Sequence, residues 1–107
     1  FLNETQRVEA SRKLAERLLR EKKDDKNRID FLFQILASRK PSQIEHDALI
    51  SLLDSAKNRF SNAPESADSL LSIGLAKLDS SLDAKDTAAW TQVSSTVLAS
   101  DPVILLY

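Results

Sequence analysis

Apolar side chains recur at intervals of three and four along most of the chain, the spacing that puts them on one face of an α-helix. The first such stretch opens with Asn3 and Gln6, a capping-box pair, and predicts a helix that continues to about Lys23. Its core face is predicted to comprise Val8, Ser11, Ala15, Leu18 and Leu19. A second helix is predicted from about Asp25 to Ser38, antiparallel to the first because the connection between them is short. Its buried side is predicted to comprise Ile29, Phe31, Leu32, Phe33, Ile35 and Leu36.

The third predicted helix has the clearest boundary. Pro41 cannot continue helix two, and Ser42 with Glu45 forms an S-x-x-E capping box directly after it. The apolar stripe that follows is predicted to comprise Ile44, Ala48, Leu49, Leu52, Leu53, Ala56 and Phe60.

Two more helices are predicted in the second half of the chain. A short fourth helix has Pro64 in its first turn and runs through Leu71, with Gly74 at the C′ position. Residues 75–82 form a connector, and Asp83 caps a last helix that ends at Asp101-Pro102. Its inward side is predicted to comprise Ala89, Trp90, Val93, Val97 and Leu98. The apolar residues 103–107 are expected to dock on the bundle or to continue into further sequence.

Composition narrows the fold class to an all-α, compact bundle of four to five helices in a single domain, 1–107. Apolar residues make up 42% of the 107 positions and there is one glycine, which is typical of a folded helical chain. The absence of cysteine excludes disulfides, thiolate metal sites and thiol nucleophiles. The longest apolar run has five residues, far fewer than the roughly 20 that cross a bilayer, so no membrane span is predicted.

Charge is distributed unevenly. Residues 1–40 carry eleven Lys and Arg against seven Asp and Glu, whereas residues 41–107 carry four against nine. This gradient is expected to hold the two halves of the bundle together, the alternative being that it steers a partner.

The single histidine lies between two acids, at Glu45-His46-Asp47. Consecutive residues on a helix do not face one another, so the three are not expected to form a catalytic or metal site. Glu45 is predicted to be the returning arm of the capping box and Asp47 a first-turn carboxylate, while His46 lies at the flank of the helix, near Leu53 and Lys57.

Other functional sites find little support. With one glycine the chain has no Walker loop, no dinucleotide fingerprint and no G-x-S-x-G nucleophile elbow. Residues 17–28 are the most basic window, but three acids interrupt it and no exposed aromatic is expected beside it, which favours a solvated helix joint over nucleic-acid binding. Trp90 shares a helical face with Val93 and Val97 and is predicted to be a core residue.

Three stretches resemble, in the same order, the C-terminal part of a planctomycete-type domain of unknown function that occurs in large exported bacterial proteins alongside planctomycete cytochrome c modules. FLNETQRVEASRKLAERLL (1–19) is similar to its leucine-asparagine opening, ILASRKPSQIE (35–45) to its arginine-proline capping element, and LDAKDTAAWTQVSSTVL (82–98) to its D-x-x-x-x-A-A-W-x-x-V helix. The residues that carry the likeness are Leu36, Arg39, Pro41, Ser42, Glu45 and Trp90.

The resemblance implies the C-terminal piece of a longer multidomain protein of the periplasm or cell envelope, with upstream domains of the same polypeptide as its partners. Any haem c would belong to the upstream part, and no cofactor is expected in this segment. No catalytic residue is transferred, and all six residues are interpreted structurally, with Arg39 expected to reach a carboxylate or helix-end carbonyls. The chain departs from the family at Ser38, where glycine is usual; a left-handed serine would cost about 1 kcal/mol, so helix two is expected to end differently here. The close SDPVILLY also differs.

The leading functional hypothesis is therefore a non-catalytic structural or interaction module of a larger exported protein. One alternative is the wall of an enzyme active site, for example for carbohydrate breakdown, whose catalytic residues lie upstream. A second alternative is a nucleic-acid or helix-binding adaptor.

Overall fold

A computed structural model describes residues 2–100, which form five α-helices and no strand. The helices are α1 (Glu4–Glu21), α2 (Asp25–Ala37), α3 (Gln43–Asn62), α4 (Pro64–Leu71) and α5 (Ala84–Ala99). The predicted all-α bundle is confirmed. The expected helix stop at Asp101-Pro102 and the expected docking of residues 103–107 lie outside the described residues.

Local capping fixes where the helices begin. The Gln6 amide donates to Asn3 Oδ1 at 2.8 Å and the Asn3 amide donates back to Gln6 Oε1 at 3.1 Å, which completes the predicted box on α1. Asp83 accepts from the Asp86 amide at 2.9 Å at the start of α5. Helix α2 begins at Asp25, as predicted, and its N-cap is Asp24, whose side chain accepts from the Asn27 amide at 2.8 Å. Each such cap contributes about 1 kcal/mol to the stability of its helix.

Helix α5 lies at the centre of the bundle and contacts all four other helices. Sequence periodicity predicted a stripe on one side, but the helix is buried over much of its circumference, at Thr87, Ala88, Ala89, Trp90, Thr91, Val93, Ser94 and Val97. Most of these side chains are small, which lets neighbouring helices approach closely. Trp90 is completely buried, so the prediction of a core tryptophan is confirmed.

The other helices add their apolar faces to one continuous core. The buried members outside α5 include Ala15, Leu18, Ile29, Leu32, Phe33, Leu49, Leu53, Ala56, Phe60, Ala67 and Leu71. The radius of gyration, 13.0 Å, equals the roughly 13 Å expected for a compact chain of this length. None of the helices within residues 2–100 is both long enough and apolar enough to cross a membrane.

The prediction that Ile44 and Ala48 belong to the buried stripe of α3 is wrong. Ile44 is 82% exposed and Ala48 is also exposed. At about 100° per residue, the buried positions from Leu49 to Phe60 share a face with Glu45 and leave Ile44 roughly a quarter turn or more outside it. The first turn of α3 therefore directs a carboxylate, and not an isoleucine, towards the bundle.

Two helix ends also differ from expectation. Ser38 adopts the left-handed conformation, with φ 57° and ψ 31°, so the expectation that α2 would end differently from a glycine-terminated helix is wrong. A left-handed serine is strained, and this strain occurs where the chain turns from α2 towards Pro41 and α3. Gly74 was predicted to occupy the C′ position of α4. The helix is capped by Ser72, so Gly74, with φ 93°, lies at C″, one residue further along.

Candidate interaction surface

The Glu45 carboxylate lies in the joint between α2 and α3. Both of its oxygens accept from Arg39, with Nη1 and Nη2 at 2.8 and 2.9 Å, and the Ser42 amide donates to Oε1 at 2.8 Å. The Arg39 guanidinium also lies 5.3 Å from the centroid of the Phe33 ring, and the neighbouring Leu36 packs against the core. The hydrogen bonds from Arg39 hold the pKa of Glu45 at about 2, well below its ordinary value of 4.5. Arg39 thus reaches a carboxylate, as predicted, and closes the α2–α3 corner.

His46 and Asp47 turn away from this pair. Asp47 accepts from the side chain of Gln43 at 2.8 Å, and His46 Nδ1 is 3.9 Å from Asp47 Oδ1, too far for a hydrogen bond. The imidazole borders a small hollow that is also lined by Lys26 and Lys40. The three consecutive residues therefore do not converge. Within residues 2–100 there is no grouping of three or more His, Cys, Asp or Glu side chains that could hold a metal ion.

The basic window at residues 17–28, around the α1–α2 joint, contains several ion pairs. Arg17 pairs with Glu21 at 2.7 Å and Lys26 with Asp30 at 3.0 Å, each one helical turn apart. Phe31, the aromatic residue beside this window, is half-buried and is not among the exposed large apolar side chains of the described residues. Cationic groups of Arg17 and Lys22 lie 5.0 and 4.8 Å from its ring centroid. These cationic groups therefore already have partners within the chain, which agrees with the interpretation of this window as a solvated helix joint.

A row of charged side chains on α1 holds the connector between α4 and α5. The two Glu9 oxygens accept from the amides of Leu75 and Ala76, both at 3.0 Å. Arg12 donates to the Ala76 carbonyl and Lys13 to the Lys77 carbonyl. One helix face thus binds the main chain of an extended segment more than 60 residues away in sequence.

The same row continues towards the C-terminus of α1. Glu16 accepts from the Asp79 amide at 2.8 Å, and Arg20 pairs with the Asp79 carboxylate, also at 2.8 Å. Hydrogen bonds from Ser81 and then from Arg20 lower the pKa of Asp79 to about 2. Arg12 and Glu16 are each only 1% exposed, and sequence reasoning missed both. The available signal was their position directly beside Ser11 and Ala15, charges inserted next to a predicted core stripe.

A groove of about 510 Å³, the α4 groove, opens where α1, α3, α4 and α5 meet. Its apolar side chains are Val8, Phe60, Leu70 and Ile73. Its small polar side chains are Ser66, Ser69, Thr91, Gln92 and Ser95. Sequence reasoning did not find the groove, because its walls come from four helices and no single stretch of sequence contains it.

The α4 groove has one acidic and one basic lining residue, and each already has a partner within the chain. Glu4 pairs with Arg7, one turn along α1. Arg59 donates to the Gln92 side chain and lies 4.7 Å from the centroid of the Phe60 ring. Among the described residues that line the groove, none carries an imidazole, a thiol or an amine. The lining therefore offers apolar contact and hydroxyl or amide hydrogen bonds, without a base that could activate one of the hydroxyls.

Comparison with known proteins assigns no function to this geometry. No protein-family model, no curated protein and no solved structure matches the chain.

Proposed function

We propose that this chain is a non-catalytic interaction module whose α4 groove binds an apolar segment of a protein partner. The observation that carries the proposal is the apolar surface open to solvent in the groove, where Ile73 is exposed and Leu70 half-buried above the buried side chains of Val8 and Phe60. Apolar surface left open in this way gains roughly 25 cal/mol for each Å² that a partner covers.

The rim of the groove favours a polypeptide over a charged ligand. Its hydroxyl and amide groups can donate to and accept from peptide carbonyls and amides, whereas its two charged groups are already paired with the chain's own side chains. A phosphate or a nucleic acid would need several uncommitted cations in the lining. An apolar peptide or helix face needs none, and grooves of this kind accept amphipathic segments in other interaction modules.

The resemblance to the planctomycete-type domain supplies the partner in this proposal. The chain would be the C-terminal module of a larger exported protein of the cell envelope, associated with c-type cytochrome modules. The α4 groove would then receive an apolar segment of an upstream domain of the same polypeptide. Any haem c would be bound by that upstream part.

Reaction of a single introduced thiol tests the proposal. The chain has no cysteine, so Ser69→Cys places one reporter in the groove, and Ser55→Cys places a matched reporter on an exposed part of α3 outside it. We expect maleimide to modify S69C at least about tenfold more slowly in the longest native polypeptide containing this sequence than in the 107-residue chain. S55C is expected to react equally fast in both. Equal rates for S69C in the two contexts would contradict the proposal.

A charged blocker provides the complementary test. Ser69→Arg introduces a bulky cation into the groove without altering the core, and Ser55→Arg does the same on the outer face of α3. In the longer polypeptide, S69R is expected to restore the exposure of the groove to solvent, measured by hydrogen exchange at neighbouring positions of α4, while S55R leaves it covered. An S69R protein that keeps the groove covered would rule out the groove as the contact.

A further inference from the structure

The side chain of Leu75 lies on the surface, whereas its backbone is held in place by hydrogen bonds. Its side chain is fully exposed, although leucine is usually buried. Its amide and that of Ala76 are both held by the Glu9 carboxylate at 3.0 Å. Gly74 makes this contact possible, because its φ of 93° suits glycine and a Cβ there would collide with the Glu9 side chain. Charged hydrogen bonds thus hold a connector that points a large apolar side chain into solvent.

Leu75 also forms part of the wall of a shallow hollow, distinct from the α4 groove. The hollow has a volume of about 530 Å³ and lies between the first turns of α1 and the connector. Its lining is Asn3, Thr5, Gln6, Glu9, Ala10, Lys13, Gly74 and Leu75. A protruding side chain therefore lies at the rim of a depression large enough to accept another leucine.

The charges of the hollow balance and are committed within the chain. Glu9 is its one acid, with both oxygens accepting from main-chain amides. Lys13 is its one base, with Nζ donating to the Lys77 carbonyl at 3.0 Å. Two identical copies of this surface therefore meet without like-charge repulsion, unlike two copies of the basic α1–α2 joint. This electrical balance favours a second copy of the chain as the occupant over an acidic or a basic partner.

We propose that two copies of the chain associate through this surface, with Leu75 of each copy inserted into the hollow of the other. A protrusion at the rim of its own hollow is self-complementary, which is the condition for a closed two-fold contact. The surface is small, so the dimer is weak when the chain is alone. The contact is separate from the α4 groove and would bring two longer polypeptides together at these modules.

Sedimentation equilibrium over a wide concentration range tests the dimer. We expect the wild-type chain to associate reversibly, and Leu75→Ser to raise the dimer dissociation constant by at least about tenfold, since two buried leucines are lost per dimer. Ile44→Ser is the matched control, because Ile44 is 82% exposed on α3 and lines neither the hollow nor the α4 groove. Both side chains are exposed, so both variants keep the wild-type melting temperature. A monomeric mass for the wild type up to about millimolar concentration would overturn the proposal, as would equal effects of the two substitutions.

A thiol at the same position tests the geometry. In a two-fold contact the two copies of position 75 come close together, so L75C is expected to form a disulfide-linked dimer under mild oxidation much faster than I44C. Equal rates for the two variants would contradict the arrangement. S69R is expected to dimerise like the wild type. Loss of dimerisation in S69R but not in L75S would place the contact in the α4 groove and refute the role of Leu75, whereas failure of the groove experiments alone leaves this dimer intact.

Discussion

At the scale of single residues, one carboxylate secures the corner between α2 and α3. Glu45 receives two hydrogen bonds from Arg39 and one from the Ser42 amide, so it serves both an ion pair and a helix cap. Charge-assisted bonds of this forked kind are about twice as strong as neutral ones. The corner is also the place where Ser38 is held in a left-handed conformation, so the same contacts offset local backbone strain.

The lowered pKa of Glu45 predicts a specific dependence of stability on pH. Because the pKa is about 2 in the folded chain against 4.5 as the ordinary value, its contribution is fully present above about pH 4.5 and is lost as the pH falls towards 2. Glu45→Gln mimics the protonated acid and is expected to lower the free energy of unfolding by about 1 to 2 kcal/mol at pH 7, allowing for partial solvent screening. Urea denaturation of both proteins from pH 7 to pH 2.5 should show this difference shrinking in acid. A difference that stays constant with pH would show that the carboxylate charge is not what stabilises the corner.

At the scale of elements, the charged row on α1 positions a neighbouring segment of the chain, a role that apolar contacts usually have between helices. It fixes the connector between α4 and α5 through main-chain hydrogen bonds, so the position of α5 depends partly on carboxylates and guanidinium groups of α1. Burying Arg12 and Glu16 is costly unless they are paired. Each has one bond to the connector, and the two side chains lie 3.7 Å apart as an ion pair.

Weakening the first contact of the row should loosen the connector locally. Glu9→Gln removes the charge and one of the two acceptor oxygens, and hydrogen bonds to charged groups contribute about 1.5 to 3 kcal/mol. We expect amide exchange at Leu75 and Ala76 to accelerate by roughly tenfold or more, measured by NMR, with little change in the amides of α3. Glu4→Gln is the control, since Glu4 is exposed and pairs with Arg7 in the same helix. Unchanged exchange at Leu75 in E9Q would show that the connector is held by something else.

Sequence predicted the elements better than the contacts between them. Helix starts depend on residues three apart, such as Asn3 with Gln6 or Ser42 with Glu45, and these are legible in the chain. The contact of Glu9 with Leu75 joins residues 66 positions apart, and no local pattern encodes it. Likewise, Ile44 looked like a core residue because apolar spacing alone cannot tell how a helix is rotated about its axis.

At the scale of the whole molecule, the bundle is organised around α5. Trp90 is completely buried, and its Nε1 has no hydrogen-bond partner within the described residues. The side chain therefore stabilises the core by its apolar area and packing, while its buried N–H opposes that contribution.

This arrangement predicts different costs for two substitutions of Trp90. Trp90→Ala is expected to lower the free energy of unfolding by about 3 to 5 kcal/mol, the range for removing a large buried aromatic. Trp90→Phe keeps much of the volume and removes the unpaired N–H, so we expect a loss below about 2 kcal/mol. Chemical denaturation monitored by circular dichroism gives both values. Equal losses for the two variants would mean that the indole N–H contributes a stabilising contact.

The central place of α5 has a consequence for biosynthesis. During vectorial translation α1 to α4 leave the ribosome before α5, the helix that all of them contact, so the central part of their packing cannot form until residue 99 is free of the exit tunnel. During this interval the apolar faces of the nascent chain remain open to chaperones. Closure of the bundle is thereby tied to completion of α5.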